Sequence, residues 1–160
     1  LGHFQEFNMA NKSISHKADV IDSRNVIARI DDLGGSFQDA YDTFVEEYTG
    51  PGEALPDFDD WLTEISQADD HIDQDDAIEL IELRKLATQC ESYGSWSSGE
   101  ELIRRRHFVR YIKEWSRSVN AVSDNDDWLY NHIDWDAAAA EREADYMEAT
   151  FKGKTFLMRA

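Results

Sequence analysis

Fifty-three consecutive residues, Asp31 to Leu83, carry eighteen Asp and Glu and not one Lys or Arg. Such a stretch either stays open by self-repulsion or buries an apolar stripe strong enough to fix its carboxylates on the far side. The apolar residues decide between the two. Phe37, Tyr41, Phe44 and Tyr48 step by four, three and four, and Trp61, Leu62 and Ile65 keep the same period. That spacing places them on one helical face and leaves the acids to project from the other. The segment is therefore expected to fold, with its charge fixed in space.

The remainder of the chain is different in kind. Its 107 residues hold sixteen acids and sixteen bases, so the whole formal charge of −18 resides in one third of the sequence. A halophilic protein is acidic throughout, which argues against salt adaptation as the reason. A charge this negative disfavours direct nucleic-acid binding and favours a cationic partner. With 160 residues, 41% of them hydrophobic, the chain is long enough to bury a core as one domain, or as one domain with an appended piece. The single cysteine, Cys90, excludes an internal disulfide and suits a reducing cytoplasm. No apolar run approaches the length of a membrane span, and the N-terminus lacks the apolar core of a signal peptide. The expected localisation is the cytoplasm of a bacterial host, without a membrane partner.

The pattern predicts a mainly α protein of about five to six helices with a small C-terminal β-hairpin, an α+β chain. Residues 1–17 read as a flexible N-terminus. Met9 followed by Ala-Asn-Lys-Ser is a candidate natural start, which would make residues 1–8 an expression remnant; both readings stay open. Residues 18–93 form the acidic helical region. Helices are expected over Ser23–Leu33, stopped by Gly34-Gly35, then from about Ser36 to Tyr48, from Asp57 as cap to near Ala68, and from about Gln74 to Ser92. Residues 94–160 then supply a loop, a basic helix from about Glu100 to Ser118, a turn-rich stretch, a short helix over Asp134–Ala144 and the hairpin. Its strands, Tyr146–Phe151 and Lys154–Arg159, flank a Lys152-Gly153 turn. The two regions are expected to pack as one compact unit.

Motifs for chemistry are scarce. The chain has no phosphate-binding glycine loop, zinc-protease helix, nucleophile elbow or paired cysteines. Asp69-Asp70-His71-Ile72-Asp73-Gln74-Asp75-Asp76 invites a metal reading but fails the EF-hand template: from Asp69 the required glycine is Gln74 and the twelfth position is Leu80. A solvated acidic helix start explains it better. His132, beside Asp134 and Asp136, lacks a nucleophile, and packing is the better account. Cys90 reads as a small buried hydrophobe on a helix. No catalytic residue, metal or cofactor is expected, and the chain is not expected to be an enzyme. Arg104, Arg105, Arg106, Arg110, Lys113 and Arg117 would alone suggest a phosphate-binding face. In a chain of net −18 they are expected to pair internally, with the acidic helices or with Glu100, Glu101 and Glu114.

The C-terminal third carries a family resemblance. Leu129-Tyr130-Asn131-His132-Ile133-Asp134-Trp135-Asp136, then Asp145-Tyr146, then Phe151 to Arg159, resemble the end of ArdA-type antirestriction proteins. Tyr93-Gly94, Glu101-Leu102-Ile103-Arg104 and Ile133-Asp134-Trp135 are similar to pieces of uncharacterised phage and prophage proteins of this length. The likeness covers about 60 residues. The acidic third does not match residue by residue, and Glu141-Arg142-Glu143 stands where the family has Arg-Asp. The resemblance implies a DNA-mimicking inhibitor of a DNA-binding defence enzyme.

That implication agrees with the charge. Duplex DNA presents one negative charge per about 1.7 Å of axis, so eighteen carboxylates match about 30 Å, roughly nine base pairs. The expected partner is a basic DNA-binding protein or complex of host defence, a restriction enzyme or a CRISPR effector, with a homodimer as a further option. The acids expected to make the contact are Asp39, Asp42, Glu46, Glu47, Asp59, Asp60, Glu64, Asp69, Asp70, Asp73, Asp75, Asp76, Glu79 and Glu82, with Asp75, Glu79 and Glu82 on one face. The competing class is a helical interaction module, such as an antitoxin or phage assembly factor. It would bind through aromatic surfaces at Trp61, Trp96, Trp115, Trp128 and Trp135.

Overall fold

The computed structural model describes residues 12–48, 52, 54–122 and 127–160. Among the described residues it is 56% helical, mainly α with a four-stranded antiparallel sheet. In chain order the elements are β1 (Val20–Asp22), α1 (Ser23–Glu47), α2 (Phe58–Gln67), α3 (Gln74–Cys90), β2 (Glu101–Arg104), a 3₁₀ turn (Arg105–His107), α4 (Phe108–Ser118), α5 (Asp127–Tyr130), α6 (Trp135–Glu143), β3 (Tyr146–Phe151) and β4 (Lys154–Arg159). The described residues divide into two compact units, one drawn from 1–15 and 24–89, the other from 16–23 and 90–160. The candidate start at Met9 and residues 1–8 lie outside the described residues.

In the first unit, Leu33, Phe37, Trp61, Leu62, Ile65, Ala77 and Leu80 form the buried core. Ile30, Tyr41, Phe44, Phe58 and Ile81 pack around it. Trp61 is the hub. It meets Phe37 edge-on at 6.3 Å, Tyr41 at 5.4 Å and stacks on Phe44 at 6.0 Å. The Tyr41 hydroxyl donates to the Pro56 carbonyl at 2.8 Å, which fastens the chain entering α2. Asp57 caps α2 by accepting from the Asp60 amide at 2.9 Å.

The glycine pair does not stop α1. One helix of 25 residues replaces the two expected. The stripe Ile30, Leu33, Phe37, Tyr41 and Phe44 keeps helical phase straight through Gly34-Gly35, and burying it outweighs a propensity cost of about 1 kcal/mol per glycine.

The second unit is built on the sheet, in the order β1-β2-β4-β3. Ile103 and Leu157 face Phe108, Ile112 and Ala139, so α4 and α6 cover one side of it. The hairpin has the expected strands, and Phe151 pairs with Lys154 across a two-residue turn. Lys152 (φ 45°) and Gly153 (φ 73°) both adopt positive φ, the turn whose twist matches that of the strands.

Two further expectations are corrected here. Residues 20–22, placed in the helical region, form β1 against β2. Glu101–His107, read as the start of the basic helix, is strand and 3₁₀ turn. β2 lies between β1 and β4, and Leu102, Ile103 and Arg104 are all buried. Three consecutive buried side chains do not fit one helical face, but they fit a central strand covered on both sides. The helical stripe begins only at Phe108.

Candidate functional site

The acids are held by α1, α2, α3 and the loop between the last two, all in the first unit. That unit carries nineteen acids against five bases, net −14; the second carries fifteen against eleven, net −4. On α1, Asp31, Asp39, Asp42 and Glu46 fall within about 80° of each other around the axis, opposite the apolar stripe, and span about 22 Å. Asp57, Asp59 and Asp60 crowd the start of α2, and Asp75 and Asp76 the first turn of α3, where the helix dipole favours carboxylates. Asp69, Asp70 and Asp73 sit in the connecting loop. Asp70 takes positive φ (70°), which a short polar side chain tolerates, and His71 Nδ1 accepts from the Asp73 amide at 3.1 Å.

Of the fourteen acids singled out from the sequence, Asp39, Asp42, Glu46, Glu47, Asp59, Asp60, Glu64, Asp69, Asp70, Asp73, Asp75 and Asp76 are exposed. Glu82 is half-buried and bonds Lys85 at 2.9 Å. Glu79 is the correction. It is 3% exposed although it lies one turn from Asp75 on α3, so the three do not form one open acidic face.

Glu79 anchors a buried network instead. It accepts from Arg29 Nη2 at 3.0 Å, from Arg29 Nε at 3.3 Å and from the Ile14 amide at 2.8 Å. Arg29 also reaches Asp32 at 3.3 Å and Asp76 at 3.4 Å. Burial alone would raise the Glu79 pKa, but the bonds from Arg29 and Ile14 and the guanidinium charge outweigh it and hold the carboxyl below its ordinary value. Arg29 is shifted up by the same bond, against its own desolvation.

The other cations near the acidic helices are few. Arg84 pairs with Asp59 at 3.5 Å. Among the described residues, Asp31, Asp39, Asp42, Glu46, Glu47, Asp57, Asp60, Glu64, Asp69, Asp70, Asp73 and Asp75 form no ion pair. Twelve such charges match about 20 Å of duplex, roughly six base pairs; four of them lie on the α1 stripe. Asp31 belongs to that stripe; a helix stop at Gly34-Gly35, as expected from the sequence, separates it from Asp39, whereas the single helix α1 joins them. The spacing of Asp31, Asp39, Asp42 and Glu46 was the signal.

Arg105, Arg106 and Arg110 form their ion pairs within the second unit, not with the acidic helices. Arg105 bonds Glu143 and, at 2.7 Å, Glu148; Arg106 approaches Asp19 at 3.7 Å; Arg110 bonds Glu114 at 3.1 Å. Buried Arg104 donates to the Lys17 carbonyl at 3.4 Å. Of the tryptophans, Trp61 and Trp96 are buried, Trp115 and Trp135 half-buried, and Trp128 is 66% exposed. Trp128 is therefore the one tryptophan whose ring is largely open to a partner. The residues that carry the family resemblance have local structural work: Asp134 caps α6 by accepting from the Ala137 amide at 3.0 Å, and Trp135 donates to the Tyr130 carbonyl at 3.0 Å.

Among the described residues no group of three or more His, Cys, Asp or Glu is placed to hold a metal ion, and no helix is long and apolar enough to cross a membrane. Cys90 is buried, which pushes its thiol up to about 11. No protein-family profile, curated protein or solved structure matches the chain.

Proposed function

We propose that the protein is a non-enzymatic acidic inhibitor, of phage or mobile-element origin, that mimics DNA. It occupies the DNA-binding groove of a basic host defence protein, a restriction enzyme or CRISPR effector, in the bacterial cytoplasm. The observation that carries this reading is the set of twelve unneutralised carboxylates, eight of them on helices and four in the segments that join them, around an aromatic core. A groove lined with Lys and Arg awaits phosphates, and carboxylates held in place lose little ordering entropy on entering it. Such an interface forms fast by steering and weakens with salt. The resemblance of the C-terminal third to antirestriction proteins implies the same class.

The test is binding to purified restriction enzymes and CRISPR effectors across a salt series. Tight binding at low salt that falls steeply with ionic strength supports the proposal; affinity for none of them, or affinity indifferent to salt, counts against it. One observation favours the interaction-module reading. Ile72, in the loop before α3, is 94% exposed, and Ile78 is 37% exposed on α3. An apolar contact there would persist in high salt.

A further inference from the structure

The second unit contains a cavity of about 290 Å³ that the acidic face does not use. Glu100, Glu101, Arg142 and Arg159 contribute opposite charges to its lining, and Trp115 and Tyr146 contribute aromatic walls. Arg142 is steered into place twice: its guanidinium lies 5.0 Å over the Trp115 ring and Nη1 bonds Asp145 at 3.1 Å. Arg159 reaches the cavity because it is the cross-strand neighbour of Tyr146. Burial, with Glu101 beside it, raises the pKa of the Tyr111 hydroxyl. Glu100 and Arg159 make no ion pair among the described residues, although both line this one space.

The Tyr146 hydroxyl lies in the field of all four charges. Burial raises its pKa, Arg159 and Arg142 lower it, Glu100 and Glu101 raise it, and the net direction is up. It therefore stays a neutral hydroxyl at pH 7, able to donate or accept. The lining selects its occupant by charge. A simple anion drawn to the arginines meets two glutamates, and a simple cation meets two arginines. A neutral molecule leaves Glu100 and Arg159 unanswered. A species carrying both charges a short distance apart satisfies both ends.

We propose that this cavity binds a small zwitterion of the amino-acid class, with its carboxylate at Arg142 and Arg159 and its ammonium at Glu100 and Glu101. The Tyr146 hydroxyl bridges the two ends, and Trp115 flanks the side chain. The site is independent of the DNA-mimic reading.

The test uses the full chain and the free L-amino acids as probes, followed by ¹⁵N NMR of the Trp115 indole and by thermal shift. L-phenylalanine is compared with 3-phenylpropionate, which lacks the ammonium, and phenethylamine, which lacks the carboxylate. At least one amino acid should saturate the indole shift and raise the melting temperature. Each one-charge analogue should bind about tenfold more weakly or worse than L-phenylalanine. Glu100→Gln and Arg159→Gln, at a half-buried and an exposed position, should each weaken the binding by a similar factor without lowering the melting temperature of the free protein. The proposal is overturned if no amino acid gives a saturable shift, if the one-charge analogues bind as well as the zwitterion, or if both variants bind like the wild type.

Discussion

Glu79 shows how much one carboxylate's role depends on what lies beside it. Arg29 and the Ile14 amide take it out of the acidic face and make it a structural residue. Its folded pKa lies below the unfolded one. The stability it contributes is thus fully present above the unfolded carboxylate value of about 4.3 and is lost as pH falls through the folded value. Glu79→Gln should cost about 3 kcal/mol at pH 7, since it leaves Arg29 buried with weaker partners, and that deficit should shrink in acid. Urea unfolding at pH 7 and pH 3 measures both. Gly35→Ala should act in the other direction. A Cβ there meets nothing within 4 Å, so the gain is the helix propensity, about 1 kcal/mol.

At the scale of elements, what the sequence revealed follows from which patterns are local. The hairpin was legible to the residue, because alternation and a Lys-Gly turn are contained in fourteen consecutive positions. So was α2, with Asp57 as its cap. β1 and β2 were not: each is three or four residues long and becomes a strand only by pairing with a partner far away in sequence. Glu79 was misplaced for the same reason, since its partner Arg29 lies fifty residues away. Most of the exposed acids were legible, because an apolar stripe fixes which way its neighbours point. Two element-scale outcomes follow. Trp61→Ala should destabilise the protein by about 3–5 kcal/mol through loss of the aromatic hub, seen as a lower urea midpoint. Lys152→Asn should stabilise the hairpin turn by about 0.5 kcal/mol, because asparagine tolerates positive φ better than lysine.

For the whole molecule, the uneven charge sets the response to salt. The acidic unit carries net −14, and its self-repulsion works against folding. Raising ionic strength from 0.1 M to 1 M shortens the screening length from about 10 Å to about 3 Å, so the thermal midpoint should rise. A midpoint that falls would mean that the ion pairs outweigh the repulsion. The most direct measurement of the central claim is competition by DNA. The protein is immobilised, loaded with a defence enzyme that it binds, and challenged with a short duplex. The comparison is a variant with Asp39, Asp42, Glu46 and Asp60 changed to Lys, all exposed and outside the ion pairs of the fold. The account predicts that the duplex displaces the enzyme from the wild type and that the variant, still folded, captures none. Capture that resists the duplex and survives the four reversals, yet is lost on Ile72→Asp, would contradict it.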